Sequence, residues 1–248
     1  MKACFLFLFL ALLSCGGEAT KSLNAQQIID KAIEASGGSL YASSDFSFDF
    51  RNKTYTLSKE GNRKVLQRIE RSDSTTVVDI RKIDGFQRLV NDSVVTVVDS
   101  MARKYSNSIN SVHYFAYLPY GLNDRAVNKK LLGETLIKDQ EYYKIQVTFD
   151  QENGGEDFED VYVYWFNKKT FKPDYLAYEF HVDGGGMRFR EAYNERFVNG
   201  VRFVDYKNFK PKDAVSILEI ERSYENDQLE LLSKIELTNI EVTPGSYN

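Results

Sequence analysis

The sequence predicts a mainly β (α+β) protein: a large, curved antiparallel sheet or incomplete β-barrel, with a short N-terminal helix and a helical segment in mid-chain. The main observation is the stretch 161–209, where 14 of 49 residues are Phe, Tyr or Trp against 14% in the whole chain. Such residues favour strands because flat side chains pack well on a pleated surface. Asn199-Gly200 lies between two alternating runs, which indicates a hairpin with a type I′ turn. The stretch therefore predicts four long antiparallel strands.

The first predicted element is the short helix. Asn24 and Gln27 have the spacing of a capping box, in which each side chain bonds to the backbone N–H of the other residue. The apolar residues of 28–33 follow helical spacing, and Gly37-Gly38 supplies a left-handed stop.

Strands and a second helix follow. Alternation such as Phe46, Phe48 and Phe50 predicts half-buried strands, and apolar residues recur at helical spacing from Met101 to Phe115. The predicted strands are 45–57, 63–69, 75–80, 86–90, 94–97, 127–133, 142–149, the four of 161–209, 215–221 and 231–242.

Composition narrows the class of protein. With 248 residues, 42% hydrophobic content and four prolines, one large folded domain is expected. The formal charge is −4 with both signs interspersed, which argues against a nucleic-acid partner. Both cysteines, Cys4 and Cys15, lie near the N-terminus, and the acidic loop 150–160 lacks the EF-hand order. We therefore predict no metal site and no cofactor, and we expect a monomer.

The N-terminus predicts export. Lys2 precedes an apolar run at 3–13, which fits a secretory signal and is too short to span a hydrocarbon core of ~30 Å. Leu12-Leu13-Ser14-Cys15 resembles a bacterial lipobox, which implies that Cys15 is acylated and becomes the mature N-terminus. The alternative is an ordinary signal peptide cut near Ser14.

The predicted organisation follows from that resemblance. We expect a lipoprotein signal peptide at 1–14, a lipidated tether at 15–22 and a single half-barrel domain at 23–248. The lipid anchor would hold the domain at the outer membrane of the cell envelope, with the periplasmic and the cell-surface side both open.

The strand at 161–167 is apolar on both faces, which predicts a sheet wrapped around something on one face and covered on the other. Counting from Asn199-Gly200, Val198 opposes Val201 and Tyr193 opposes Tyr206.

A charged cluster is predicted in the next hairpin. Glu179 and His181 share one face of their strand. If the glycines at 184–186 form a local turn, Arg188 and Arg190 fall near His181 and Glu179. This cluster is either an anion-binding or acid–base site, or an ion-pair ladder facing water, which is the favoured interpretation.

The order of elements resembles a known superfamily. The opening IIDKAIEASGG and a strand-rich body with an inserted helix are similar to the lipoprotein-localisation (LolA/LolB-like) superfamily. This resemblance implies an incomplete barrel with helices at its mouth and an apolar cavity for acyl chains. The segments HYFAYLPYGLND, VYVYWFNKKT and EFHVDGGGMRFREAYN more closely resemble an uncharacterised lipoprotein family of Gram-negative bacteria, and that resemblance covers most of the mature chain.

Two kinds of site residue are predicted. His113, on the helical segment, either contacts a ligand head group at the mouth or joins the helix to the sheet, and the second role is favoured. A hydrophobic cavity is predicted to be lined by the rings of Phe115, Tyr117, Tyr164, Phe166, Tyr178 and Phe180.

The leading hypothesis is a non-enzymatic, membrane-anchored protein that binds a lipid or another hydrophobic small molecule in the open barrel. One alternative is a hydrolase or isomerase with His181 as general base beside Glu179 and an arginine. Another is a scaffold that binds a protein at the outer membrane through an exposed sheet edge or patch.

Overall fold

A computed structural model describes residues 22–61, 63–152, 159–181 and 184–245. The predicted signal peptide, Cys15 and most of the tether lie outside these ranges, as does the middle of the acidic loop. Numbered along the chain, the described helices are α1 (Ala25–Ala35), α2 (Leu40–Ser43), α3 (Asp99–Ala116) and α4 (Ile220–Glu225), with 3₁₀ turns at Tyr120–Asn123 and Ile217–Glu219.

Fourteen strands in the described ranges form two antiparallel sheets of seven strands each. The first sheet contains β1 (Ser44–Phe50), β2 (Lys53–Glu60), β3 (Arg63–Arg71), β4 (Thr76–Lys82), β5 (Gly85–Val90), β6 (Ser93–Val95) and β14 (Leu237–Pro244). The second sheet contains β7 (Val127–Ile137), β8 (Gln140–Phe149), β9 (Val161–Asn167), β10 (Pro173–Phe180), β11 (Gly186–Val198), β12 (Val201–Pro211) and β13 (Leu229–Ile235).

Neither sheet closes on itself, and each consists mostly of strands that are consecutive in the chain. The first has the order β14-β1-β2-β3-β4-β5-β6 and the second the order β13-β12-β11-β10-β9-β8-β7. The chain passes from β13 to β14 through one residue, and this corner is tied by Asp205. Its Oδ1 accepts the backbone N–H of Leu237 at 3.0 Å and a guanidinium N–H of Arg196 at 2.9 Å. The predicted mainly β, incomplete-barrel architecture is confirmed, with two sheets in place of one.

Helices α1 and α3 pack against one face of both sheets, which we call the inner face. The main hydrophobic cluster lies there and includes Ile28 and Ile29 of α1 and Ile109, Val112 and Phe115 of α3. The opposite, outer face of the second sheet is covered by α4 in a separate cluster. The prediction from 161–167 that both faces of this sheet are covered is therefore confirmed.

Several local predictions are confirmed. Asn24 Oδ1 accepts the Gln27 N–H at 2.9 Å, and Gln27 Oε1 accepts the Asn24 N–H at 3.0 Å, which completes the capping box. Asn199 and Gly200 have φ of 47° and 84°, as a type I′ turn requires.

Other predictions are wrong for identifiable reasons. The segment 45–57 is two strands, because Arg51 turns the chain with φ of 56°. The segment 215–221 is not a strand: Ser216 Oγ accepts the Leu218 N–H at 3.2 Å and begins the turn that leads into α4. The segment 231–242 is likewise two strands, because the chain changes sheet between β13 and β14.

The register of β11 with β12 is correct near the turn and shifted beyond it. Val198 pairs with Val201 as predicted, but Tyr193 pairs with Asp205 and not with Tyr206. An irregularity between Tyr193 and Arg196 causes the shift. Such a bulge inserts an extra residue on one strand and changes every later pair.

Candidate functional site

The candidate site is a group of half-buried rings at one end of the second sheet. Strands β8 and β10 end there, and β9 and β11 begin there. We call these rings the aromatic rim: Tyr114 of α3, Phe149, Tyr162, Tyr178 and Phe180. Farther along the inner face of β9 the rings of Tyr164 and Phe166 are fully buried, each with 0% exposure.

The rim rings form a continuous row. The ring centroids of Phe149 and Tyr162 are 5.6 Å apart, those of Tyr162 and Tyr178 5.5 Å, and those of Tyr178 and Phe180 6.0 Å. Tyr114 packs edge-on against Tyr162 at 5.8 Å. These spacings are typical of favourable aromatic contacts, so the row presents one apolar surface.

Tyr114 also fixes helix α3 to β9. Its hydroxyl lies 2.7 Å from the hydroxyl of Tyr164, and the two form a hydrogen bond. Burial raises the pKa of both phenols, so both stay neutral at physiological pH. The inner end of the rim is therefore closed by a neutral hydrogen bond between the helix and the sheet.

Gly186 makes room for the outer end of the rim. A Cβ at this position would lie 3.1 Å from the Phe180 ring and 3.4 Å from Nη1 of Arg188. Its φ of 149° is also one that L-residues rarely adopt. The glycine thus lets Phe180 lie directly against the backbone of β11.

Two arginines lie beside the rim on the inner face. Arg188 pairs with Tyr178 and Arg190 with Leu176, and cross-strand partners point to the same face of a sheet. Nη2 of Arg190 donates to the Tyr178 hydroxyl at 3.0 Å, and its guanidinium lies 5.1 Å from the Phe115 ring centroid. The guanidinium of Arg188 lies 5.1 Å from the Phe180 centroid. Within the described part of the chain, neither arginine has a carboxylate partner.

The predicted charged cluster is not formed. Glu179 pairs with Val161 and Met187, which pack on the outer face, whereas Arg188 and Arg190 lie on the inner face. His181 follows the end of β10 and is exposed. The acid–base arrangement of His181, Glu179 and an arginine is therefore not assembled, because the strand register places the groups on opposite faces.

His113 joins α3 to the first sheet, away from the rim. It is 3% exposed, its Nε2 lies 3.4 Å from the Gln67 carbonyl, and its Nδ1 lies 3.3 Å from the Tyr117 hydroxyl. The rings of Phe48 and Tyr55 pack edge-on against the imidazole. Burial lowers the pKa of His113 to about 3, so the side chain is neutral in the folded protein.

The six rings predicted to line a cavity divide into two groups. Phe115, Tyr117, Tyr164 and Phe166 are between 0% and 8% exposed and lie in the main hydrophobic cluster. Tyr178 and Phe180 belong to the aromatic rim. Helix α3 thus occupies much of the interior that the sequence predicted for a ligand.

The sequence prediction did not include Tyr114, Phe149 and Tyr162 in the site. The available signal was their position: Phe149 ends one predicted strand, and Tyr162 is the second residue of the next one. Rings at strand ends on the inner face remain half-buried because no further strand residues cover them.

A second concavity lies on the outer face. It has a volume of about 520 Å³ and is lined by Lys138, Asp139, Glu191, Phe209, Tyr224, Glu225 and Asp227. Burial alone would raise the pKa of Glu191, but hydrogen bonds from Lys207, Lys138 and Tyr224 outweigh burial and lower it. Glu191 thus has two lysine partners, Lys138 and Lys207, in contrast to the two arginines beside the rim.

Two further properties concern metals and membranes. In the described ranges, no three His, Cys, Asp or Glu side chains stand close enough to hold a metal ion. None of the described helices has the length and apolar character needed to cross a membrane.

The fold and the site define an open, two-sheet antiparallel protein with a helix on its inner face and an aromatic rim at one end. Residues 2–237 match the family of unknown function DUF6503, and the chain belongs to that family. Among curated proteins, none matches the chain in sequence.

Two solved structures are similar in arrangement. One is a LolA superfamily protein from Nitrosomonas europaea, with a TM-score of 0.49 and 14% identity over 89% of this chain and 94% of that chain. The other is a DUF1329 family protein from Desulfovibrio piger, with a TM-score of 0.49 and 11% identity over 89% of this chain and 93% of that chain.

Proposed function

We propose that this protein is a cell-envelope lipoprotein that binds a lipid or another hydrophobic molecule at the aromatic rim and catalyses no reaction. The observation that supports the proposal is the rim itself: five neighbouring rings stay half-buried at one end of a sheet that helices cover elsewhere. Burying apolar surface contributes ~25 cal/mol per Å². A ligand that covers these rings therefore gains affinity without any change in the core.

The proposed location follows from the N-terminal sequence. Acylated Cys15 would hold the chain at the outer membrane, and each acyl CH₂ that enters the bilayer contributes ~0.8 kcal/mol. The seven residues 16–22 span at most ~25 Å, so the rim would remain near the membrane that supplies its ligand. Replacing Cys15 with Ser tests the anchor, with release from the membrane fraction as the expected result.

The ligand test starts from the full-length protein purified from membranes. Solvent extraction followed by mass spectrometry is expected to recover a lipid or another hydrophobic molecule in stoichiometric amount. A protein that yields none, and that also fails to bind an added apolar probe, contradicts the proposal.

Matched substitutions locate the binding. Phe180→Ala is expected to weaken binding of the uncharged probe 1-N-phenylnaphthylamine, because it removes a ring from the end of the row. Phe197→Ala is the control: Phe197 is 49% exposed near the opposite end of β11 and lies outside the rim. Equal effects of the two substitutions would place binding elsewhere.

A further inference from the structure

We propose that the rim takes an anionic amphiphile, whose carboxylate or phosphate head group binds Arg188 and Arg190 while its apolar chain lies on the aromatic row. This inference rests on the proposed function and specifies the class of ligand. It begins from the position of these two arginines, which lie on the inner face without a carboxylate partner among the described residues.

Four other half-buried or buried arginines of the sheets have an anionic partner, whereas Arg81 of β4 donates to the neutral Ser106 Oγ at 3.2 Å. Asp79 forms ion pairs with Arg68 and Arg88, each with an N···O distance of 2.6 Å. Asp205 pairs with Arg196 at 2.9 Å, and Glu195 pairs with Arg202 at 2.5 Å. Burying a charge is costly unless it is paired, which explains this pattern.

Arg188 and Arg190 depart from that pattern within the described residues. Arg188 donates to the Met187 carbonyl at 2.8 Å, and Arg190 donates to the Tyr178 hydroxyl at 3.0 Å. The Nε of Arg190 also lies 3.5 Å from Asn208 Oδ1. These acceptors are neutral, so among the described residues the two positive charges stand side by side without a carboxylate partner, and several of their N–H groups have no acceptor there.

The spacing of the two side chains suits one anion. Residues at positions i and i+2 of a strand point to the same face, about 6.6 Å apart along the chain. Guanidinium groups bind carboxylate and phosphate through paired N–H donors, and such charge-assisted bonds are roughly twice as strong as neutral ones. A single head group between Arg188 and Arg190 would therefore offset both charges.

The polar and apolar parts of the inner face lie side by side. Across the sheet, Tyr164 pairs with Leu176, Leu176 with Arg190, and Arg190 with Asn208. The rings are on β8 to β10, and the polar groups are on β11 and β12. A molecule with one charged end and one apolar chain matches this division, whereas a purely apolar molecule leaves the arginines uncompensated.

The test compares an acid with its uncharged ester on delipidated full-length protein. The probes are cis-parinaric acid and its methyl ester, followed by fluorescence titration. We expect the acid to bind about tenfold or more tightly than the ester, because bonds to charged groups contribute roughly 1.5–3 kcal/mol. Arg190→Gln should weaken binding of the acid by a larger factor than binding of the ester and so remove most of this preference, and Arg190→Lys should restore part of it.

Controls and competitors complete the design. Arg222→Gln removes an exposed arginine of α4 and should affect neither probe. Competition between palmitate and palmitoyl lysophosphatidic acid for the acid probe distinguishes a carboxylate from a phosphate head group. If acid and ester bind equally and Arg190→Gln changes neither, this inference is overturned while the proposed function stands. If neither probe binds, the proposed function fails as well.

Discussion

Helix α3 contacts arginines of both sheets, and the two contacts differ in whether the arginines have a carboxylate partner among the described residues. Over the first sheet, Arg68 and Arg88 share the buried carboxylate of Asp79, and the Arg88 guanidinium lies 3.9 Å from the ring centroid of Tyr105 on α3. Over the second sheet, Arg190 lies 5.1 Å from Phe115 of the same helix, and no described carboxylate is near. The first attachment combines arginines, a ring and a carboxylate, whereas the second has an arginine and a ring but no carboxylate partner among the described residues.

This difference separates a structural cluster from the proposed binding site. The hydrogen bond to Asp79 raises the pKa of Arg88, and Arg68 adds a bond from its Nη1 to Ser108 on α3 at 3.1 Å. Because the two arginines of this cluster are already paired with Asp79, the cluster holds the helix and does not bind an anionic ligand. Arg188 and Arg190 have no carboxylate partner among the described residues, so their N–H donors remain available to an anion from solution.

The largest expected effect is the loss of the anion that completes the first attachment. Asp79→Asn should destabilise the protein by roughly 3–5 kcal/mol, because it leaves two largely buried guanidinium groups without compensation. Urea unfolding measures the change. Asp84→Asn is the control, since its pair with Arg63 is 64–68% exposed and should contribute less than ~1 kcal/mol. Similar losses in the two variants would contradict the assignment of a buried cluster.

The next effect concerns His113, which lies on α3 between the two attachments. Its pKa is about 3 in the folded protein and about 6.5 when unfolded. The unfolded chain therefore binds the extra proton as the pH falls below 6.5, and the folded protein does not. The free energy of unfolding should fall by about 1.4 kcal/mol per pH unit between pH 6 and pH 4 from this group.

Replacing the two histidines one at a time isolates the contribution of His113 to the pH dependence of stability. His113→Gln should remove this part of the pH dependence, whereas His181→Gln, at the exposed histidine, should retain it. The measurement is urea unfolding at several pH values. An unchanged slope in the His113 variant would show that other groups carry the proton linkage.

A smaller effect is expected from the hydroxyl pair that closes the inner end of the rim. Tyr114→Phe leaves the fully buried Tyr164 hydroxyl without a partner and should cost roughly 1–3 kcal/mol. Tyr164→Phe should cost a similar amount, because burial also surrounds the Tyr114 hydroxyl that it leaves without its partner. Thermal unfolding of both variants and of the double variant gives the coupling, and additive losses would mean that the hydroxyls do not interact.

The smallest effect is expected at the second attachment. Arg190→Met should change the stability of the ligand-free protein by less than about 1 kcal/mol, because no buried carboxylate loses a partner. Urea unfolding compared with Asp79→Asn provides the measurement. A loss as large as that of Asp79→Asn would reveal a hidden anionic partner and remove the contrast between the two attachments.

Much of the fold follows from local chemistry in the sequence. The capping box at Asn24, the turn at Asn199-Gly200 and the two apolar faces of 161–167 each depend on near neighbours, so a pattern is enough to predict them. The segment 215–221 shows the limit. Its β-branched and alternating residues predict a strand, but Ser216 starts a helical turn and packing on the outer face decides the outcome.

The face on which the site residues lie depends on the register of β10 with β11, and a sequence pattern does not determine that register. Phe180 pairs with Gly186, so even-numbered residues face even-numbered residues across this hairpin. Arg188 and Arg190 therefore share a face with Tyr178, and a shift of one residue would have placed them beside Glu179. The sequence analysis placed both arginines beside Glu179 and His181, and the register places them on the opposite face.

The pairing of β1 with β14 has a consequence for how the chain folds. Phe46 pairs with Val242, almost two hundred residues later, and Asn239 bonds to Asp49 across the same seam at 2.7 Å. Each sheet otherwise grows from neighbouring hairpins, which form from local contacts. The strands of the two sheets are joined only when the last strand pairs, so this pairing should form slowly and late. A chain that stops before Leu229 would lack it, and the packing of α1 and α3 would be left to hold the two sheets together.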